Sequence, residues 1–180
     1  MIAYAITDPS TLNFDILESD MKRFSVKADM IVYRDKINEH YAKDAKTFLI
    51  EARNYSFSKI LVHTDYKLAH KLKAEGVHLK STQFDNIKKA KALGLFVVIS
   101  THTVGDALEA QLLGADMITF SPIFNSPNKG EPVGVKVLNH VVALVSIPVI
   151  ALGGIVTQEH IDGCEENGAR GFASIRYFKK

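Results

Sequence analysis

Basic side chains collect where short apolar runs of this chain end. Arg34, Lys36, Lys80 and Arg176 each stand just past such a run, and Lys129 follows in the stretch Asn125-Ser-Pro-Asn-Lys129-Gly130. Only Asp8, Asp35 and Asp65 oppose them at equivalent places. Cations interleaved with Ser100, Ser121, Ser126 and Asn128 offer charge-assisted hydrogen bonds, which an anionic ligand needs. For any single lysine, an ordinary solvated loop charge explains as much. A glycine pair adds to the pattern, because Pro148-Val-Ile-Ala-Leu-Gly153-Gly154-Ile155 runs a buried segment straight into two residues without side chains. Backbone N–H groups at such a junction approach a phosphate closely, although a tight turn has the same signature. Among the histidines, His102 follows an apolar run amid Ser100, Thr101 and Thr103. It is a candidate acid or base near neutral pH, or a ring bonded to a helix start. His63 ends another run and is expected to line a pocket. His78 lies two residues before Lys80 and shares its side of a strand, as an interior structural histidine. His40, His70, His140 and His160 fall on expected helices, and no histidines have the spacing of a metal site.

Eight apolar segments must position these groups: Ile2–Ile6, Met30–Tyr33, Ile60–Val62, Gly76–Leu79, Phe96–Ile99, Met117–Phe120, Val149–Leu152 and Gly171–Ile175. Short runs without alternation read as parallel strands covered on both faces. Helices are expected between them, over Phe14–Lys27, from an Asn38 cap to about Arg53, and over Phe84–Leu93 before Gly94. Another follows the Thr103–Asp106 capping box and stops at Gly114, and a last one runs from a Thr157 cap to before Gly168. Strand–helix alternation repeated this often predicts a single (β/α)8 TIM-barrel domain over residues 1–180, trimmed at both termini and without an eighth helix. No G-x-G-x-x-G follows the first strand, which disfavours a dinucleotide fold.

With 22 Lys+Arg against 20 Asp+Glu, the formal charge of +2 is too small for a nucleic-acid or membrane surface. The lone Cys164 excludes an internal disulfide, and Asp8 and Pro9 cut short the apolar start, so a cytoplasmic protein is expected.

The ordered set Tyr4-Ala-Ile-Thr-Asp8, Arg34-Asp-Lys36, Gly76-Val-His-Leu79, Ser100-Thr-His-Thr103, Gly114-Ala-Asp116, Ser121-Pro-Ile-Phe124, Pro148–Ile155 and Gly168-Ala-Arg-Gly171 resembles thiamine phosphate synthases and the related TenI-type thiazole tautomerases over almost the whole chain. The resemblance implies a (β/α)8 barrel in thiamine biosynthesis. Synthases join hydroxymethylpyrimidine diphosphate to a thiazole phosphate with magnesium and release diphosphate. Tautomerases aromatise a thiazole carboxylate phosphate without metal. By resemblance, Arg34 and Lys36 face a diphosphate and Ser100 lies near the reacting carbon. Ser126, Asn128, Lys129, Gly153 and Gly154 hold the thiazole phosphate.

Departures from the pattern shape the expectation. Val32 replaces a glutamine of the synthases, and Thr64 and Gln83 stand where aspartates hold magnesium, with Asp65 and Asp85 nearby. Ser121-Pro122 replaces the tautomerase histidine, and Arg176 replaces a phosphate-site serine. The leading expectation is a metal-independent TenI-like isomerase with His102, Ser100 and His63 as its catalytic candidates. Two alternatives stand beside it: a divergent magnesium-dependent synthase (a transferase), and a non-catalytic binder of phosphorylated thiamine precursors. The expected partner is a small phosphorylated heterocycle, with no cofactor required outside the synthase alternative. Only Tyr177, Phe178, Lys179 and Lys180 follow the last run, so the outer faces of strands one and eight, with Ile2, Tyr4, Phe172 and Tyr177, are expected to lie bare. A homodimer covering that seam is the corresponding expectation.

Overall fold

The structure, a computed structural model, describes residues 1–127 and 129–179. Eight parallel strands close into a barrel in chain order: β1 (Ile2–Ile6), β2 (Met30–Tyr33), β3 (Lys59–His63), β4 (Gly76–Leu79), β5 (Phe96–Thr101), β6 (Met117–Phe120), β7 (Val149–Leu152) and β8 (Gly171–Ser174). Pairing of β1 with β8, Ile2 opposite Gly171, completes the ring and leaves no free edge. The intervening helices are α1 (Leu17–Lys27), α2 (Tyr41–Ala52), α3 (Tyr66–Lys71), α4 (Ile87–Ala92), α5 (Val104–Leu113), α6 (Gly134–Leu144) and α7 (Gln158–Glu166). A 3-10 turn, Arg176–Phe178, follows β8 in place of an eighth helix. This is a (β/α)8 barrel, with seven α-helices among the described residues.

Local chemistry sets the helix limits. The Thr103 hydroxyl accepts from the Asp106 N–H at 3.0 Å while the Asp106 carboxylate accepts from the Thr103 N–H, and α5 ends at Gly114 with φ +91°. The Thr157 hydroxyl caps α7 by accepting from the His160 N–H, without the reciprocal bond. Asn38 does not cap α2; its side chain instead accepts from the His40 N–H, and the helix begins at Tyr41.

Two apolar layers result. The larger lies between the strands and helices, and a smaller one fills the barrel with Tyr4, Ile6, Met30, Val32, Leu61 and Val98 among others. Ile2 and Tyr4 therefore point inward, which corrects the expectation that they form part of a bare outer seam. The outward residues of β1 are Ala3 and Ala5, which need little cover. Phe178 from the 3-10 turn supplies that cover. It stacks parallel on Phe172 and against Phe24 of α1, and both Phe172 and Phe178 are buried. Arg23 ties the turn down by donating to the carbonyls of Phe178 and Thr11. Burying one phenylalanine is worth about 1.5–3 kcal/mol, so this single turn contributes substantially to covering the seam.

Candidate active site

The C-terminal ends of β2, β3 and β4 open onto a cavity of about 420 Å³ lined by Asp35, Lys36, Asn38, Tyr41, His63, Thr64 and Lys80. Tyr41 braces its wall, donating to the Tyr33 carbonyl at 2.8 Å and accepting from the His63 N–H at 3.0 Å. Arg34 and Lys129 join the rim electrostatically. Arg34 first, then partial burial, then Lys129 and Lys80, push the Lys36 ammonium below the usual lysine range. Such repulsion on Lys36 means that its cationic neighbours outweigh the acids around it, and the rim carries a net positive field. Burial lowers Arg34 too, against the opposing pull of Asp8 and Asp35.

His63 and His78 meet edge to face at the floor, with ring centroids 5.9 Å apart. Burial, then His78, then Arg34, Lys36 and Lys80, drive His63 down to about 2, so it stays neutral at working pH and is a poor base there. Burial and Arg34 hold His78 at about 3. His78 Nε2 lies 3.1 Å from the half-buried Ser100 Oγ. His102 is exposed on the β5–β6 side. Its Nδ1 is 2.8 Å from the Ser121 carbonyl, which only accepts, so Nδ1 donates there, and Nε2 has no hydrogen bond among the described residues.

The glycine pair follows β7 with φ +100° at Gly153 and +72° at Gly154. A Cβ on Gly153 would lie 2.8 Å from Pro122 Cα, and one on Gly154 would lie 2.6 Å from the Asn125 carbonyl oxygen. Both glycines are thus required where the β6–α6 loop, carrying Ser126 and Lys129, packs onto the turn. Lys129 donates its N–H to the Ser126 carbonyl and is exposed. Asn128 lies outside the described residues. Arg176 opens the 3-10 turn, exposed, and no side-chain hydrogen bond joins it to the rim among the described residues.

Magnesium takes hard, anionic oxygens. Thr64 offers no charge, and Gln83 spends its amide on the backbone. Its Oε1 accepts from the Lys80 N–H at 3.0 Å, and its Nε2 donates to the Thr64 carbonyl at 3.1 Å. Asp65 caps α3, accepting from the Leu68 N–H at 2.8 Å. Among the described residues no group of three or more His, Cys, Asp or Glu is placed to hold a metal. At the two positions where aspartates were expected to hold magnesium, the structure therefore places no charged oxygen.

Three roles escape sequence reasoning, although Gln83 and Tyr4 themselves stand in the motifs read there. Tyr41 and Gln83 act through backbone hydrogen bonds, which no spacing announces. Tyr4 joins the site because its strand turns that residue inward, where its hydroxyl lies 3.0 Å from His78 Nδ1. Thr64, a β-branched residue at φ +67°, is a fourth unusual feature of this wall, a strained conformation of the kind found at ligand sites.

Comparison with known proteins bears on this mouth. The family model for thiamine monophosphate synthase matches residues 3–178. A putative thiamine-phosphate synthase 2 of Aquifex aeolicus is 35% identical over 180 residues, covering 97% of this chain and 96% of the relative. The thiamine-phosphate synthase of Lawsonia intracellularis is 30% identical, covering 93% of this chain and 80% of its own. The solved thiamine phosphate pyrophosphorylase from Pyrococcus furiosus superposes with a TM-score of 0.83 at 27% identity, over 97% of this chain and 85% of that one.

Proposed function

The chain belongs to the thiamine monophosphate synthase family, and from that premise we propose that it joins a pyrimidine-methyl diphosphate to a thiazole phosphate with loss of diphosphate. The tautomerase expected first from sequence is the weaker reading, because relatives matching nearly the whole chain carry synthase names. In the proposed step the methylene C–O bond breaks with its electron pair going to diphosphate. The thiazole ring nitrogen supplies the pair for the new C–N bond.

The observation that carries this reading is the convergence of Arg34, Lys36, Lys80 and Lys129 on one mouth, close enough to depress Lys36. Cations fixed where negative charge develops on the leaving group stabilise the transition state without reorganising. They take the place that carboxylate-bound magnesium would fill. The Ser126–Lys129 loop and the glycine turn support a second phosphate nearby, on the thiazole partner, and Arg176 stands as a peripheral cation in the same reading.

One observation favours a second reading. His102 is exposed and its Nε2 is not engaged by any described residue, which suits a proton-transfer group of the kind a thiazole tautomerisation requires. Incubation with both synthase substrates, in magnesium and then in EDTA, separates the two. Thiamine phosphate and diphosphate forming at comparable rates in both buffers is the expected result. Absence of product in both buffers, with thiazole carboxylate phosphate aromatised instead, would establish the isomerase.

A further inference from the structure

Tyr4, His78 and Ser100 form a chain of hydrogen bonds across the barrel, from β1 through β4 to β5. Tyr4 Oη lies 3.0 Å from His78 Nδ1, and His78 Nε2 lies 3.1 Å from Ser100 Oγ. Tyr4 has no exposure to solvent and His78 is 3% exposed, among Ile6, Met30, Val32 and Leu61. A phenol O–H buried in such surroundings must find an acceptor, and leaving it unmade costs about 1–3 kcal/mol. Nδ1 of His78 is the acceptor the fold supplies to Tyr4 among the described residues. The opposite polarity, Nδ1–H donating to Tyr4, would strand the phenol proton in the apolar layer.

This choice propagates. Burial and the field of Arg34 keep His78 neutral, so the ring holds one proton. With Nδ1 accepting, that proton sits on Nε2 and is donated to Ser100 Oγ. Ser100 is then an acceptor toward the barrel interior, and its own O–H is left to turn upward. It is half-buried at the top of β5, two residues beyond the inward-facing Val98, so upward is toward the mouth. His78 cannot relieve Ser100 of its proton, which removes the serine as an activated nucleophile.

We propose that Tyr4 and His78 are positioning residues that fix Ser100 as a hydrogen-bond donor to a lone-pair atom, such as a ring nitrogen, of the heterocycle bound above it. The inference rests on the proposed diphosphate-bearing substrate, and it specifies which face of that substrate descends: one presenting an acceptor.

Two measurements test it. Long-range ¹⁵N–¹H correlation spectra of histidine-labelled protein should show His78 protonated at Nε2 and bare at Nδ1, and a Nδ1–H tautomer overturns the chain of donors. That spectrum needs neither variant nor ligand. Calorimetry then uses hydroxymethylpyrimidine diphosphate and inorganic diphosphate as separate probes. Ser100→Ala and His78→Leu should each weaken the first by about tenfold and the second by less than about twofold, with His78→Gln, which keeps an N–H donor, restoring part of the loss. Equal loss for both probes, or none for the heterocycle, overturns the assignment. Failure of wild-type protein to bind inorganic diphosphate would instead sink the diphosphate reading and leave the tautomer result standing.

Discussion

His78 and His63 are neutral in the folded protein and ordinary in the unfolded chain, and the difference is a statement about stability. Their folded values of about 3 and about 2 lie below the unfolded value near 6.5. Between those limits the unfolded state binds more protons, so acid favours unfolding. Stability is complete above pH ~6.5 and falls below it. The limiting slope is about 1.4 kcal/mol per pH unit for each histidine that stays neutral when folded. Thermal melts from pH 7 to pH 5, above most carboxylate titration, should show the decline, and His78→Gln should flatten it. A melting temperature constant across that window would contradict the burial of both rings. The sequence made part of this legible: His78 and Lys80 do share a side of β4, and His63 does reach the pocket wall. What it concealed is the partner across the barrel, because Tyr4 and His78 are 74 positions apart.

At the scale of elements, punctuation was readable and orientation was not. Gly94, Gly114 and Gly168 end helices at positive φ, and Thr103 and Thr157 begin them, because caps act through neighbours three or four residues away. Strands apolar on both faces carry no alternation to say which side turns inward, so nothing in the β1 residues announces that Ile2 and Tyr4 face the barrel interior. The glycine turn shows the same limit. Two glycines announce a backbone demand, but its cause, the β6–α6 loop pressed against them, belongs to residues some thirty positions earlier in the chain. Gly154→Ala should therefore act on both structure and binding. A Cβ 2.6 Å from a carbonyl oxygen at φ +72° forces the loop away, at a cost of about 2 kcal/mol or more. Denaturant melts should register that cost. Affinity for thiazole phosphate should fall with it, since Ser126 and Lys129 ride on the displaced loop. Unchanged stability would show that the loop yields freely.

Across the whole molecule, charge is nearly balanced, with a formal value of +2, yet its distribution is not. Arg34, Lys36, Lys80 and Lys129 act on one another at a single mouth. A field concentrated this way decays over a Debye length, about 14 Å at 0.05 M salt and about 4 Å at 0.5 M. Inorganic diphosphate should lose about tenfold or more in affinity between those salts, and Lys80→Ala should make the dependence shallower. Salt-independent binding would place the anion elsewhere. The covered β8–β1 seam bears on assembly as well. With Phe172 and Phe178 buried together and Tyr177 partly buried, the chain itself covers part of that seam, and light scattering is the direct measure of whether a second copy covers the rest.

The closure of β1 on β8 also carries a consequence in time. Ile2 faces Gly171, so the contact that seals the ring joins residues from opposite ends of the sequence. Loop-closure entropy of that size makes such a pairing slow and late. During synthesis β1 acquires β2 early, but its other side waits until β8 has emerged. Through that interval one row of its backbone groups stays open to stray pairing, as on any sheet edge. The small Ala3 and Ala5 on its outward face leave a stray strand little to grip. The same two alanines that let a single turn cover the finished seam also keep the unfinished one quiet.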